Sequence, residues 1–112
     1  MIQIFGKAKC FDTKKAIRYF KERKIPAQYI DIKQKPMSKG EYRSVKAALG
    51  GWAKLVNENA KGYEDCCLPY LIIESDIDEK ILENQQILKT PIVRNGSKAT
   101  VGVCPEIWKQ WQ

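Results

Sequence analysis

Short apolar segments alternate with segments of helical periodicity along this chain. The first apolar segment, residues 2–5, predicts a strand, and residues 27–32 predict a second one. Between them, apolar side chains recur every three to four positions among lysines and arginines, which predicts an amphipathic helix over about residues 11–23. Because a helix that connects two strands of one sheet makes them parallel with a right-handed crossover, the pattern predicts an opening β-α-β unit.

The middle of the chain has mainly helical signals. A capping-box pattern at residues 38–41 opens a helix that a pair of glycines ends after Leu49. A second such pattern, at residues 75–78, opens a helix that runs to about residue 83 or 84. Residues 57–75 carry no clear period. We therefore interpret residues 33–86 as a helical insertion that lies over a small sheet.

The last part of the chain has a strong hairpin signal. The dipeptide Asn95-Gly96 lies between two apolar runs, so residues 92–94 are expected to pair antiparallel with residues 99–101. Pro105 then suits the first position of a final helix. The side chains expected to pack inward from that helix are Ile107, Trp108 and Trp111.

Length, composition and charge narrow the class of protein. The 112 residues, 44% of them hydrophobic, are expected to form one domain. By the element pattern, residues 1–32 and 87–112 form its strand-bearing core and residues 33–86 the insertion. The start of the chain has no signal-peptide layout and no apolar stretch is long enough for a membrane helix, so we expect a cytoplasmic protein without membrane contact. The net charge of +7 is spread over the chain without an Arg-rich run, which favours a basic surface and not nucleic-acid binding.

The sequence has four cysteines and no histidine. Without histidine, imidazole-based catalytic triads and the commonest zinc ligands are excluded. The spacing of Cys10, Cys104 and the adjacent Cys66-Cys67 does not match a paired four-cysteine zinc site, so we expect no metal and no bound cofactor. In a cytosolic protein, these cysteines indicate catalysis or redox sensing. The conformation around Cys66-Cys67 stays open between an extended run and a loop packed on the core.

Cys10 is the candidate nucleophile. It stands at the N-cap of the first predicted helix, where unpaired backbone N–H groups and the positive end of the helix dipole favour a thiolate. Lys14 lies one turn on, above the sulfur, and Lys7 and Lys9 add positive charge, whereas Asp12 opposes ionisation. The alternative is that Cys10 is only a small buried hydrophobic residue.

Three motifs follow one another along the chain: residues 10–16 (CFDTKKA), 88–96 (LKTPIVRNG) and 99–108 (ATVGVCPEIW). In this order they resemble the ArsC/Spx-like family, the arsenate reductase-related branch of the glutaredoxin/thioredoxin-like superfamily. The resemblance implies an α/β thioredoxin-like fold with a small four-stranded mixed sheet, in the order β-α-β, helical insertion, β-β-α. It also implies that Pro91 is a cis-proline beside Cys10, with the Thr90 backbone pairing with substrate; an ordinary trans proline at a strand start is the alternative.

The chain departs from the family pattern at two kinds of position. The CxxC pair of Spx-type regulators is absent, because Thr13 stands where the second cysteine would be. Glutaredoxin-linked arsenate reductases hold the oxyanion with three arginines, and here those places fall at Thr90, about Asn57 and about Cys104. Threonine and asparagine do not reproduce bidentate guanidinium binding, so arsenate does not carry over as the substrate.

Two functions follow as hypotheses. In the first, the chain is a single-cysteine thiol–disulfide oxidoreductase acting on a small thiol, disulfide or oxyanion, with Cys10 as nucleophile and Lys14 stabilising its thiolate. The residues expected to contact substrate are Thr13, Thr90, Pro91 and Cys104. An external thiol such as glutathione, or a glutaredoxin or thioredoxin, would resolve the Cys10 intermediate, with Cys104, Cys66 or Cys67 as alternatives. In the second, the chain is a non-catalytic Spx-like regulatory or protein-binding module.

Overall fold

A four-stranded mixed sheet forms the centre of the computed structural model, which describes residues 1–111. β1 (Ile2–Gly6) pairs parallel with β2 (Ala27–Asp31) and antiparallel with β3 (Ile92–Asn95), and β3 pairs antiparallel with β4 (Lys98–Val101). The strand order is therefore β2-β1-β3-β4. The predicted parallel β-α-β unit and the predicted hairpin are both confirmed.

The helices account for most of the remaining chain. The first two have the predicted positions, and the insertion between β2 and β3 consists of one long helix, a series of one-turn elements and a second helix. The helices are α1 (Phe11–Glu22), α2 (Lys39–Leu49), α3 (Gly62–Asp65), α4 (Glu74–Glu83) and α5 (Pro105–Trp108), with 3-10 turns at Ala53–Leu55, Leu68–Tyr70, Gln85–Ile87 and Lys109–Trp111.

The capping box of α2 is formed as predicted. The Glu41 backbone N–H donates to Ser38 Oγ at 3.1 Å, and the Ser38 N–H donates to Glu41 Oε1 at 2.9 Å. A capping residue of this kind contributes about 1 kcal/mol to helix stability. Gly50 ends the helix in the left-handed conformation, with φ of 80°.

Two local predictions were wrong. No capping box forms at residues 75–78, because α4 already begins at Glu74 after the extended Ile73, and Ser75 lies inside its first turn. Glu74 and Asp76 stabilise that helix start through the dipole instead of a side-chain cap. Ile107 does not pack inward but is 41% exposed, because in the single turn of α5 it is Trp108 that faces the core. Trp111 packs against the same cluster, as predicted.

Hydrophobic clusters cover both faces of the sheet. Side chains alternate along each strand, so Ile4 and Val93 point towards α1 while Phe5 and Ile92 point towards the insertion. The cluster on the α1 side consists of Ile2, Ile4, Ala16, Phe20, Val93 and Trp108. The cluster on the insertion side includes Phe5, Ile30, Ile92, Tyr42, Val45, Leu55, Ile81 and Ile87. Within residues 1–111, no helix is both long and apolar enough to span a membrane.

Candidate active site

Cys10 occupies the N-cap position of α1. Its backbone is extended, with φ of −88° and ψ of 118°, and α1 begins at Phe11. The Cys10 N–H donates to the Lys7 carbonyl at 3.1 Å, and the Cys10 carbonyl accepts from the Lys14 N–H at 3.2 Å. The tight turn between β1 and α1 therefore presents a partly buried thiol at the positive end of a twelve-residue helix.

The surroundings of Cys10 favour its thiolate. Partial burial raises the pKa of the Cys10 thiol, but hydrogen bonds to the sulfur outweigh this effect, so the pKa lies below its ordinary value. The hydrogen bonds come from the Thr13 and Thr90 side chains and from the backbone N–H groups of Thr13 and Asp12. A cysteine with a lowered pKa supplies more nucleophile at neutral pH.

Thr13 lies beneath the cysteine loop. Its side chain is 1% exposed, and its hydroxyl accepts from the Lys7 N–H at 3.4 Å while it donates to the Cys10 sulfur. The Thr13 side chain fits against β1 because residue 6 is glycine: a Cβ atom at residue 6 would collide with it. No pattern in the sequence indicates this contact between Gly6 and Thr13. The predicted contact of Thr13 with substrate stays a prediction.

The Thr90-Pro91 segment lies beside Cys10, as the family resemblance implies. The Thr90-Pro91 peptide bond is cis. In its protonated form, the Cys10 thiol donates to the Thr90 carbonyl at 3.6 Å, and Gly102 donates its N–H to the Pro91 carbonyl at 2.9 Å. The start of β3 and the end of β4 thus meet next to the sulfur.

Lys7 connects the cysteine loop to this segment. Its ammonium group donates to the carbonyl oxygens of Gln86 at 2.8 Å and Leu88 at 3.2 Å. Burial lowers the pKa of Lys7, while the negative charge of a Cys10 thiolate raises it. From the sequence, Lys7 is expected only to add positive charge near Cys10. Its position three residues before the cysteine does not indicate the hydrogen bonds to Gln86 and Leu88.

Lys14 lies on the outer surface of α1. Its Nζ atom is 5.5 Å from the centre of the Phe11 ring, so the ammonium group lies over that ring. The hydrogen bonds that lower the pKa of Cys10 come from other residues. The role of Lys14 in stabilising the thiolate stays a prediction.

Cys104 has surroundings that differ from those of Cys10. Partial burial and the carboxylate of Glu106 raise the pKa of Cys104, with a hydrogen bond from Thr100 acting in the opposite direction. Its thiol donates to the Val101 carbonyl at 3.3 Å. Cys104 therefore favours the neutral thiol, and its roles as resolving or substrate-contacting residue stay predictions.

The adjacent cysteines lie in a loop and not in an extended run. Cys66 follows α3, donates its thiol to the Tyr63 carbonyl at 3.4 Å and packs against the core on the insertion side. Cys67 is exposed, in the left-handed conformation with φ of 63°. Among residues 1–111 no group of three or more histidine, cysteine or acidic side chains is placed to hold a metal ion.

A strand, a tight loop with a single cysteine at a helix N-terminus, and a cis-proline beside its sulfur together define a thioredoxin-like protein. The sequence model of the ArsC family matches residues 5–111, so the chain belongs to that family. No curated protein matches the chain by sequence.

Solved structures agree with this fold over nearly the whole chain. The YFFB protein superposes with a TM-score of 0.84 at 21% identity, covering 98% of this chain and 97% of its own. An arsenate reductase from Vibrio cholerae superposes with a TM-score of 0.83 at 18% identity, covering 97% of this chain and 95% of its own. A protein from Staphylococcus aureus COL superposes with a TM-score of 0.80 at 24% identity, covering 98% of this chain and 97% of its own. At these identities the likeness shows the fold alone.

Proposed function

We propose that the protein is a single-cysteine thiol–disulfide oxidoreductase with the Cys10 thiolate as nucleophile and an external thiol, glutathione or a glutaredoxin, as reductant. The observation that carries this proposal is the place of Cys10 at the N-cap of α1 beside the cis Thr90-Pro91 bond, where hydrogen bonds with Thr13 and Thr90 lower the pKa of its thiol. Such hydrogen bonds stabilise the ionised form, and the thiolate is the form that attacks disulfides.

With a glutathionylated substrate, the reaction has two exchange steps. First, the Cys10 thiolate attacks the glutathione sulfur, so a disulfide forms between Cys10 and glutathione while the original disulfide breaks and the substrate sulfur leaves as a thiolate that takes a proton from water. Second, a glutathione thiolate attacks the glutathione sulfur held on Cys10, which forms oxidised glutathione and releases the Cys10 thiolate. The substrate disulfide gains two electrons in total, and glutathione supplies them.

The positions of the arginines support a disulfide over a tetrahedral oxyanion. Arg94 donates to Gln3 Oε1 at 3.0 Å and to the Gly96 carbonyl at 3.3 Å, near the hairpin and away from the Pro91 end of β3. Within residues 1–111, none of the hydrogen bonds to the Cys10 sulfur comes from an arginine. The cations beside the loop are lysines, which attract anions as point charges without a bidentate fork.

A cleft next to the cysteine loop supports a small thiol as co-substrate. Its volume is about 640 Å³, within the range of small-molecule sites. Its charged lining consists of three lysines and two carboxylates, so the cations are in excess: Lys7, Lys9, Lys33, Asp31 and Glu83. Lysine side chains there would attract the carboxylates of a small peptide thiol. This cleft is where we place the reducing thiol.

The test is turnover of a glutathionylated peptide with glutathione, glutathione reductase and NADPH. We expect the native protein to turn over, Cys10→Ser to lose all turnover while it remains folded, and Cys67→Ser, the matched exposed cysteine, to retain turnover. Arsenate is assayed in parallel. Turnover of arsenate but no disulfide would overturn the proposal, and a reactive Cys10 without any turnover would favour the regulatory or protein-binding module.

A further inference from the structure

One face of α1 carries cations without acidic partners in the part of the chain that the structure describes. Lys14, Arg18 and Lys21 are all exposed and recur at helical spacing, so they form one stripe along the outside of the helix. On α1, the ion pair formed within residues 1–111 is Lys15 with Asp12, at 3.9 Å, to the side of the stripe. Within residues 1–111, the three cations therefore face solvent without forming an ion pair.

The stripe starts at an exposed aromatic side chain next to the nucleophile. Phe11 follows Cys10 directly and is 78% exposed, so it contributes little to the core. A shallow groove continues along the helix, lined by Lys14, Ile17, Arg18, Lys21 and Glu22. Glu22 is the one carboxylate of that lining and forms no ion pair within residues 1–111. Because Lys14 lies over the Phe11 ring and also lines the groove, it connects the groove to Phe11, the residue next to Cys10.

We propose that the α1 stripe, made of Phe11, Lys14, Arg18 and Lys21, docks an acidic polypeptide whose disulfide-bonded cysteine reaches Cys10. This inference rests on the proposed function and specifies its substrate class. Residues 11–21 span about 15 Å along the helix, which an extended segment of about five residues covers. The partner therefore carries acidic side chains within about five residues of its cysteine, and an apolar side chain close to it.

A polypeptide fits this surface better than the other common polyanion, a nucleic acid. Phe11 and the half-buried Ile17 alternate with the cations, and a protein segment can offer apolar and acidic side chains in the same register. The reaction of Cys10 also needs a partner sulfur, which a nucleic acid lacks. Opposite charge on the partner would raise its association rate, and this gain falls as salt screens it.

The experiment uses two glutathionylated peptides of one sequence, with glutamates in one and lysines in the other after the cysteine. The double variant Arg18→Glu/Lys21→Glu reverses the stripe, and Lys98→Glu/Lys109→Glu, at other exposed lysines, makes the same charge change as the control. Every kcat/KM is divided by the Cys10 alkylation rate of the same variant with neutral iodoacetamide. This division removes any effect of a variant on the reactivity of the Cys10 thiol from the comparison of the two peptides.

At low salt, we expect the native protein to prefer the acidic peptide and the stripe variant to lose that preference by roughly tenfold, whereas the control variant stays within about twofold. Equal use of both peptides, or equal loss in both variants, would overturn the proposal. If no peptide is turned over, the proposed function fails separately, and fluorescence anisotropy of Cys10→Ser with a serine version of each peptide still tests docking. Tighter binding of an oligonucleotide with the same net charge as the acidic peptide would also contradict the proposal that the stripe docks a polypeptide.

Discussion

The ammonium group of Lys7 donates a hydrogen bond to the carbonyl oxygen of Leu88, 81 residues further along the chain, at 3.2 Å. A second hydrogen bond, of 2.8 Å, goes to the Gln86 carbonyl. Both acceptors lie just before Thr90-Pro91, so this one side chain fixes the distance between the cysteine loop and the start of β3. It also holds a positive charge where it stabilises a Cys10 thiolate.

Replacing Lys7 by methionine tests both roles. The partly buried Leu88 carbonyl and the exposed Gln86 carbonyl lose a charged donor, so we expect Lys7→Met to lower the free energy of unfolding by about 1 kcal/mol. The lost positive charge raises the pKa of Cys10 and slows its alkylation at neutral pH. Lys9→Met removes the same charge from an exposed neighbour and should change stability by less than about 0.5 kcal/mol. Equal effects of the two variants, in urea unfolding and alkylation, would contradict this account.

The Thr13 hydroxyl is expected to tune the cysteine directly. Thr13→Val keeps the shape of the buried side chain but removes the donor to the Cys10 sulfur, so the midpoint of Cys10 alkylation moves to higher pH. At pH 7, the alkylation rate should fall by roughly fivefold, as for one net hydrogen bond of about 1 kcal/mol. Thr13→Ser retains the hydroxyl and should retain the midpoint. An unchanged profile in Thr13→Val would remove Thr13 from the site.

Gly6 is expected to tolerate no side chain. In Gly6→Ala the new methyl group would overlap the Thr13 side chain, so Thr13 must shift, at a cost of about 1–3 kcal/mol in unfolding free energy. Gly40→Ala, in the first turns of α2, has open space around its Cβ and should be neutral or stabilising by up to about 1 kcal/mol. Thermal unfolding of both variants measures the difference. Matching melting temperatures would show that the loop can move away without cost.

The lowered pKa of Cys10 makes folding stability depend on pH. Between the folded and unfolded pKa values the unfolded chain binds more protons, so stability rises with pH across that interval. The contribution is complete above the unfolded pKa and is lost as pH falls through the folded one. The difference in unfolding free energy between the native protein and Cys10→Ser, under reducing conditions, should therefore grow with pH in that window. A constant difference would contradict the shift.

The parts of the fold that could be predicted depend on neighbouring residues. The capping box of α2 and the turn at Asn95-Gly96 each satisfy their hydrogen bonds within a few residues, so the local sequence contains the whole signal. The N-cap position of Cys10 has the same origin, since it needs only a strand end and a helix start.

The parts that could not be predicted depend on contacts between distant segments. Residues 57–73 form one-turn elements held by bonds such as that from the Asn57 N–H to the Ile87 carbonyl, at 2.8 Å, which leave no periodic pattern in the sequence. The bonds from Lys7 to Gln86 and Leu88 arise only when the insertion packs on the sheet. The contact between Gly6 and Thr13 requires the exact path of the loop over α1.

The pH dependence of alkylation, measured for each of the four cysteines in the reduced, folded protein by peptide mass spectrometry, tests the central claim most directly. Cys10 should react with a midpoint clearly below the usual thiol value of about 8.5, because hydrogen bonds favour its thiolate. Cys104 should react slowly, with a midpoint above that value, because burial and Glu106 disfavour its charge. An inert or unshifted Cys10 would contradict the assignment of this residue as the nucleophile.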